Sequence, residues 1–118
     1  MTSAVPKIVN KPWGHELIWS VTDRYVGKIL HVRGGESLSL QYHQVKDETI
    51  MVLDGQLRFE FFAEGEEPQE IVLGPRMPFR ITPGLRHRMT AIEDTEVLEV
   101  STPELDDVVR LQDRYGRA

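Results

Sequence analysis

The chain contains no cysteine. Disulfides, thiolate metal ligands and thiol nucleophiles are therefore excluded, and any bound metal must use nitrogen and oxygen ligands. No stretch of the sequence approaches the roughly 20 apolar residues that a membrane span needs. The N-terminus, Met1 to Asn10, also lacks the apolar run of a signal peptide. We expect a soluble, cytoplasmic protein with no membrane partner.

The sequence also lacks an excess of positive charge. It has 14 Lys and Arg against 19 Asp and Glu, a net charge of −5. No broad basic surface is available for nucleic acid, which we exclude as a partner. Its 118 residues fit one domain with one core, and 40% hydrophobic with 28% charged residues is ordinary globular usage. We predict a single domain over residues 1–118.

Short β-rich segments recur between turn residues, which is typical of an all-β sandwich or barrel. The clearest strand is residues 37–43, where Leu38, Leu40 and Tyr42 alternate with polar residues. Other strands are predicted at 17–21, 26–32, 49–53, 56–62, 70–73, 79–81, 86–92 and 97–101. Asp54-Gly55 indicates a hairpin turn, and residues 64–68 indicate an exposed hairpin tip.

The pattern changes at the C-terminus. Thr102 suits a helix cap, Pro103 suits the first helical position, and acidic residues follow both. Leu105, Val108, Val109 and Leu111 would form the buried stripe of such a helix. We therefore predict a domain core over about 24–101, an N-terminal strand segment over 7–21 and a short helix over about 103–114.

One spaced set of polar residues indicates chemistry. Gln41 and His43 are two residues apart, so a strand directs both to one side, about 6–7 Å apart. Glu48 reaches that side only if residues 44–47 bend, and His87 follows a tight turn far along the chain. Two imidazoles, a carboxylate and an amide oxygen suit Zn, Mn, Ni, Co or Fe.

Taken singly, each histidine of this set is more often a surface or hydrogen-bonded group than a ligand. Jointly the metal interpretation is favoured, because four polar groups buried without partners would each cost a few kcal/mol. The sequence predicts one divalent metal ion held by Gln41, His43, Glu48 and His87. His15 and His31 show no ligand spacing and are interpreted as surface or hydrogen-bonded residues.

These residues make the chain resemble a small cupin. The first cupin motif, Gly-x5-His-x-His-x3–4-Glu-x6-Gly, is matched by Gly35, Gln41, His43, Glu48 and Gly55, with Gln41 in the place of the first histidine. The second motif, Pro-x-Gly-x2-His followed by Asn, is matched by Gly84 and His87. It departs at two positions, which are Thr82 for the proline and Ala91 for the asparagine.

Within cupins the chain is similar to the type II phosphomannose isomerase domain. The similarity runs from Lys11 to Arg117 and is carried by residues 11–14, 35–43, 87–88 and 113–117, including glutamine at the position of Gln41. The resemblance implies a jelly-roll barrel of two antiparallel sheets and a homodimer. It also implies interconversion of mannose 6-phosphate and fructose 6-phosphate, with a sugar phosphate as the small-molecule ligand.

A phosphate group needs cations, and four residues are candidates for substrate contact: Lys46, Arg88, Tyr115 and Arg117. Simple alternation turns Arg88 away from His87, so a surface ion pair is its simpler role. Inward neighbours of the ligands are predicted to line the pocket; they are Ser39, Ile50, Val52 and Met89. The apolar face of residues 37–43 must be covered by the N-terminal segment or by a second subunit.

Three functions remain open at this point. The first is a metal-dependent sugar-phosphate isomerase. The second is a non-haem iron oxygenase, because His43, Glu48 and His87 also supply two histidines and one carboxylate. The third is a non-catalytic sensor or small-molecule binding module, since a fold does not imply a function. The residue that transfers the proton in an isomerase is not identified by the sequence.

Overall fold

The structure is a computed structural model that describes residues 6–117. Within those residues the chain forms eleven strands. They are β1 (Lys7–Lys11), β2 (Gly14–Val21), β3 (Val26–Val32), β4 (Leu40–Tyr42), β5 (Glu48–Asp54), β6 (Leu57–Phe62), β7 (Gln69–Leu73), β8 (Pro78–Ile81), β9 (Arg86–Ala91), β10 (Thr95–Ser101) and β11 (Val109–Gln112). No helix over the same residues is long and apolar enough to cross a membrane.

The strands form two antiparallel sheets. The six-stranded sheet has the order β1-β2-β3-β10-β5-β8, and the five-stranded sheet has the order β11-β4-β9-β6-β7. This confirms the predicted all-β fold with two antiparallel sheets. Because strand side chains alternate between faces, each sheet turns one apolar face inward. The fully buried core lies between the sheets and includes Leu30, Ile50, Val52, Phe59 and Ile81.

The predicted helix over 103–114 is wrong. Residues 104–108 form short turns, with the Leu105 N–H bonded to the Pro103 carbonyl at 2.8 Å, and β11 then pairs with β4. The Thr102 hydroxyl accepts a hydrogen bond from the Asp47 N–H at 3.0 Å, so it serves a neighbouring loop rather than a helix start. β11 also satisfies the backbone groups at the edge of β4, which a helix would leave unpaired.

The Asp54-Gly55 pair is not a hairpin turn. β5 pairs with β8 and β10, whereas β6 pairs with β7 and β9, so this turn carries the chain from one sheet to the other. Gly55 has φ +98°, and an added Cβ would lie 2.5 Å from the Asp94 carbonyl oxygen. The hairpin tip at residues 64–68 is confirmed, because β6 and β7 pair on either side of it.

Candidate metal centre and pocket

Three side chains from different parts of the chain meet on the inner wall between the sheets. His43 follows β4, Glu48 opens β5 and His87 lies on β9. One ligand atom from each residue lies within 4.8 Å of the other two. All three residues are buried, with 3%, 3% and 1% of their surface exposed. The structure therefore brings together three of the four residues that the sequence predicts to be ligands.

The bend after β4 is what returns Glu48 to the face of His43. The Asp107 carboxylate accepts hydrogen bonds from the N–H groups of Gln44, Val45 and Lys46 at 2.7–3.0 Å. These three donors hold the pKa of Asp107 at about 2, so the carboxylate remains charged near neutral pH. The segment beyond β10 thus fixes the loop between the first two ligands.

Both imidazoles are oriented by backbone carbonyls. His43 Nδ1 lies 2.6 Å from the Asp107 carbonyl oxygen, and His87 Nδ1 lies 2.9 Å from that of Leu85. A carbonyl only accepts, so each Nδ1 carries the hydrogen and each Nε2 is left facing the cluster. Metal-bound histidines typically donate their second N–H in this way.

Neither His43 Nε2 nor His87 Nε2 has a hydrogen-bond partner within residues 6–117. A buried polar atom without a partner costs about 1–3 kcal/mol, so two such nitrogens at one point call for a shared partner. A divalent ion would accept the Nε2 lone pairs of both neutral imidazoles together with the Glu48 carboxylate. The donor set therefore fits Zn, Mn, Ni, Co or Fe, and the identity of the ion is not fixed by it.

The charges at this cluster perturb one another. Burial would lower the pKa of His43, but the interaction with Glu48 outweighs it and the pKa is raised. Burial lowers the pKa of His87. Burial would raise the pKa of Glu48, yet His43 and Lys46 keep it well below its usual value. In the metal-free protein, His43 is therefore the imidazole that carries positive charge beside Glu48, whose Oε1 lies 3.6 Å from His43 Nε2.

Gln41, the fourth predicted ligand, lines the same pocket as His43 and Glu48. It lies directly across from His87 in the pairing of β4 with β9. The Ser39 hydroxyl donates a hydrogen bond to Gln41 Oε1 at 2.6 Å, which orients the amide and leaves that oxygen a second lone pair. Coordination by Gln41 stays a prediction.

The pocket beside the cluster has a volume of about 290 Å³ and a strongly charged wall. Lys46 Nζ forms an ion pair with Glu48 Oε2 at 2.9 Å and donates a hydrogen bond to Glu99 Oε2 at 3.1 Å. Deeper along the six-stranded sheet, Lys28 Nζ lies 3.3 Å from Glu16 Oε1. Burial and the charge of Glu48 raise the pKa of Glu99. An alternating row of acids and lysines thus runs from the metal cluster along one wall.

Sequence reasoning missed Glu16, Lys28 and Glu99. A usable signal was present for two of them, because Lys28 shares its face of β3 with buried Leu30 and Glu99 shares its face of β10 with buried Val97. Charged residues at core positions of a strand indicate a functional site, since burial without a partner is costly.

Of the four residues predicted to line the pocket, one does so and three are buried elsewhere. Met89 lines the pocket. Ile50 and Val52 are fully buried in the hydrophobic core, and Ser39 is buried beneath Gln41. None of these three is among the residues that surround the cavity. The pocket wall is therefore more polar than those predictions imply, which suits a polar ligand.

Of the four residues predicted to contact substrate, two line the pocket and two lie elsewhere. Lys46 and Arg117 line the pocket, and Arg117 is paired with Asp113 at 3.0 Å. Arg88 pairs with Glu60 at 3.0 Å on the opposite face of β9, as the alternation predicted. The Tyr115 hydroxyl donates to Glu36 Oε1 at 2.5 Å, so this side chain anchors the C-terminus.

A barrel of two antiparallel sheets with two histidines and a carboxylate on its inner wall defines a jelly-roll protein with a candidate metal site. Residues 28–102 match the family described as Cupin domain. The chain belongs to the cupin family.

Several relatives are enzymes of sugar-nucleotide and polysaccharide biosynthesis. Mannose-1-phosphate guanylyltransferase ManC of Salmonella typhimurium is 33% identical over 114 residues, which are 92% of this chain and 23% of the relative. The xanthan biosynthesis protein XanB of Xanthomonas campestris is 32% identical over 114 residues, 92% of this chain and 23% of the relative. The chain thus spans about a quarter of the length of these curated relatives.

Solved structures of low sequence identity share the fold. Oxalate decarboxylase of Bacillus subtilis has a TM-score of 0.79 at 16% identity, over 90% of this chain and 30% of that chain. The capsular polysaccharide assembling protein CapF of Staphylococcus aureus has a TM-score of 0.75 at 18% identity, over 93% and 35%. KdgF of Halomonas sp. has a TM-score of 0.71 at 20% identity, over 85% and 88%.

Proposed function

We propose that this cupin is a metal-dependent isomerase that interconverts an aldose phosphate and a ketose phosphate, of the mannose 6-phosphate and fructose 6-phosphate type. The observation that carries the proposal is the pair of unpartnered Nε2 atoms beside Glu48, at a pocket that His43 and Glu48 line together with further acids and cations. The names of the guanylyltransferase relatives support a phosphorylated mannose as ligand class.

The proposed ion is held by His43, Glu48 and His87, with Gln41 as the predicted fourth ligand. When bound, a divalent ion in this position would polarise the adjacent carbonyl and hydroxyl oxygens of a sugar. An ion with five or six coordination positions would keep some of them open for substrate beside at most four protein ligands. Lys46, 2.9 Å from Glu48, keeps that carboxylate charged and fixed in orientation.

Isomerisation also needs a group that moves a proton between neighbouring carbons. We assign this role to Glu99, which lines the pocket, lies outside the ligand set and is 4% exposed. It takes the proton from C2 of the aldose and returns it to C1, while the hydroxyl proton passes from one sugar oxygen to the other. Its raised pKa suits proton exchange near neutral pH, and Lys46 holds its Oε2 in place.

The phosphate is proposed to bind where β1 and the C-terminal segment border the pocket. Lys7 and Lys11 line it from β1, and Arg110 and Arg117 line it from the C-terminal side. Cations on both borders suit a dianionic group, and arginine can bind phosphate with two parallel hydrogen bonds. Lys28 extends the positive wall toward the metal cluster.

The proposal is tested by turnover assays on mannose 6-phosphate after loading the protein with Mn, Zn, Co, Ni or Fe in turn. Glu99→Gln should lower kcat by about 100-fold or more, the usual size of a lost acid–base group, without loss of bound metal. Glu60→Gln is the matched control, since Glu60 pairs with Arg88 away from the pocket. Absence of turnover with every metal would refute the isomerase.

A second candidate is an iron oxygenase of the cupin class. The specific observation is the composition of the cluster, two histidines and one carboxylate, which is the ligand set of many non-haem Fe(II) oxygenases. Oxygen uptake by the Fe(II)-loaded protein would favour this function over the isomerase. Tight binding of a sugar phosphate without turnover or oxygen uptake would instead favour a binding module.

We also propose that the protein is a cytoplasmic homodimer. The outer face of the six-stranded sheet supports the dimer at the end away from His31 and Glu96, because Trp19 and Val100, beyond Ile29 and Leu98, are 42% and 46% exposed there. Phosphorylated hexoses are intracellular metabolites, which supports the location. Light scattering should give twice the chain mass for the wild type and the monomer mass for Trp19→Lys; a monomeric wild type would refute the dimer.

A further inference from the structure

The four histidines of the chain form two pairs, one inside the barrel and one on its outer surface. His43 and His87 form the inner pair, with ring centroids 5.3 Å apart. His15 and His31 form an outer pair, with ring centroids 5.1 Å apart and ring planes only 17° from parallel. The inner pair belongs to the metal centre described above. The outer pair has no role in that centre.

Strand register places the outer pair in a row with a carboxylate. His15 of β2 lies directly opposite His31 of β3, and His31 lies directly opposite Glu96 of β10. Their neighbours Leu30 and Val97 are buried, so the row lies on the outward face of the six-stranded sheet. The side chains of His31 and Glu96 are 28% and 40% exposed.

The carboxylate fixes the orientation of one imidazole. His31 Nδ1 lies 3.2 Å from Glu96 Oε1, and a carboxylate accepts, so Nδ1 carries the hydrogen. The Nε2 lone pair of His31 is then the one available for a ligand. A carboxylate that accepts from the far nitrogen of a histidine is the arrangement found behind metal-bound imidazoles.

We propose that His15 and His31 form a second, external metal site for Cu²⁺, Ni²⁺ or Zn²⁺. Directly opposite side chains on antiparallel strands have Cβ atoms about 4.5–5.5 Å apart, so rotation about the side-chain bonds brings both imidazoles to one ion. Glu96 is a positioning residue for His31, and water fills the other coordination positions. Because the chain has no cysteine, imidazoles are its best donors for these ions, and Cu²⁺ should bind most tightly.

The site is tested by adding Ni²⁺ to the ¹⁵N-labelled full-length chain and following the ring signals of all four histidines. Paramagnetic Ni²⁺ broadens the signals of every ring near the ion, so single-histidine variants are needed to show that both outer rings bind it. We expect the signals of His15 and His31 to broaden together and saturably. His31→Gln and His15→Gln should each abolish the broadening of the remaining outer ring, while the signals of His43 and His87 respond as in the wild type.

Two further variants separate coordination from ring stacking. Glu96→Gln should weaken the outer site by about tenfold, the usual cost of removing a carboxylate behind a metal-bound histidine. Glu93→Gln is the matched control, since this exposed carboxylate contacts neither ring, and it should leave the affinity unchanged. The proposal is overturned if either outer ring still responds in the variant that lacks the other histidine, or if Glu96→Gln and Glu93→Gln behave alike. These outcomes do not depend on the inner site or on isomerase activity.

Discussion

Replacement of Lys46 by methionine should destabilise the metal-free protein strongly. The ammonium group lies 2.9 Å from Glu48 and 3.1 Å from Glu99, and all three side chains are at least 94% buried. Burial would lower the pKa of Lys46, but Glu99 and Glu48 raise it, so the lysine is charged at neutral pH. Lys46→Met removes that charge and leaves two carboxylates buried without it.

The expected loss follows from the burial of this triad. Removing one partner of a buried ion pair costs about 3–5 kcal/mol, since an uncompensated charge stays behind. A domain of this size has a free energy of unfolding of about 5–15 kcal/mol, so the variant should lose a large fraction of it. A bound divalent ion would compensate Glu48 in place of Lys46. Adding metal should therefore stabilise Lys46→Met more than it stabilises the wild type.

The assay is urea unfolding followed by tryptophan fluorescence, in a chelator and again with saturating metal. Arg58→Met is the matched control, because the Arg58–Glu70 pair is 2.8 Å long but 47% and 55% exposed. An exposed pair is worth about 0–1 kcal/mol, so this variant should change little. Equal losses for the two methionine variants would refute the reasoning, as would equal stabilisation of Lys46→Met and the wild type by metal.

Three other predictions concern the site and the barrel. Metal uptake at pH 6.5 should release about one proton rather than two, because in the metal-free protein His43 has a raised pKa and is mostly protonated, whereas His87 has a lowered pKa and is mostly neutral. The affinity for metal should accordingly rise with pH. The number of protons released is measured by calorimetry in buffers of different ionisation enthalpy, and a value near two or near zero would contradict the prediction. Gln41→His should retain metal but change the order of metal affinities, measured by competition titration; an unchanged order would mean that Gln41 does not touch the ion. Gly55→Ala should destabilise the protein more than Gly65→Ala in urea unfolding. Both glycines have positive φ, but only at Gly55 would an added Cβ lie 2.5 Å from a backbone atom. Equal losses of stability in the two variants would contradict this.

The parts of the fold that are encoded locally could be predicted from the sequence. The strand predicted at 26–32 coincides with β3, because alternation of apolar residues is a local signal. His43, Glu48 and His87 were predicted as ligands from spacing and from the polar turn between the first two. The bend that this required is present, and Asp107 holds it.

No local signal in the sequence shows that the predicted C-terminal helix is wrong. Thr102 and Pro103 are ordinary residues for a helix start, and nothing nearby opposes them. What decides the structure is the edge of β4, about 70 residues before β11 in the chain, whose backbone groups pair with β11. The same limit explains the Asp54-Gly55 turn, since a hairpin and a crossover between sheets require the same turn residues.

The charged wall of the pocket and the outer histidine pair depend on strand register. Lys28 and Glu99 become partners of one site only because β3 lies beside β10. His15 and His31 are 16 positions apart in sequence, and only the pairing of β2 with β3 makes their rings stack. Register across a sheet is set by many side chains together, so spacing along the chain does not reveal it.

The central claim is that His43, Glu48 and His87 hold one divalent ion. The most direct test is elemental analysis of protein purified without an affinity tag or added metal and passed through gel filtration. We expect about one ion per chain in the wild type and in His31→Ala, which lacks the outer site, and loss of the ion in folded His43→Ala and His87→Ala. A wild type that contains no ion and takes none up on titration would contradict the claim, as would full occupancy in both inner-site variants.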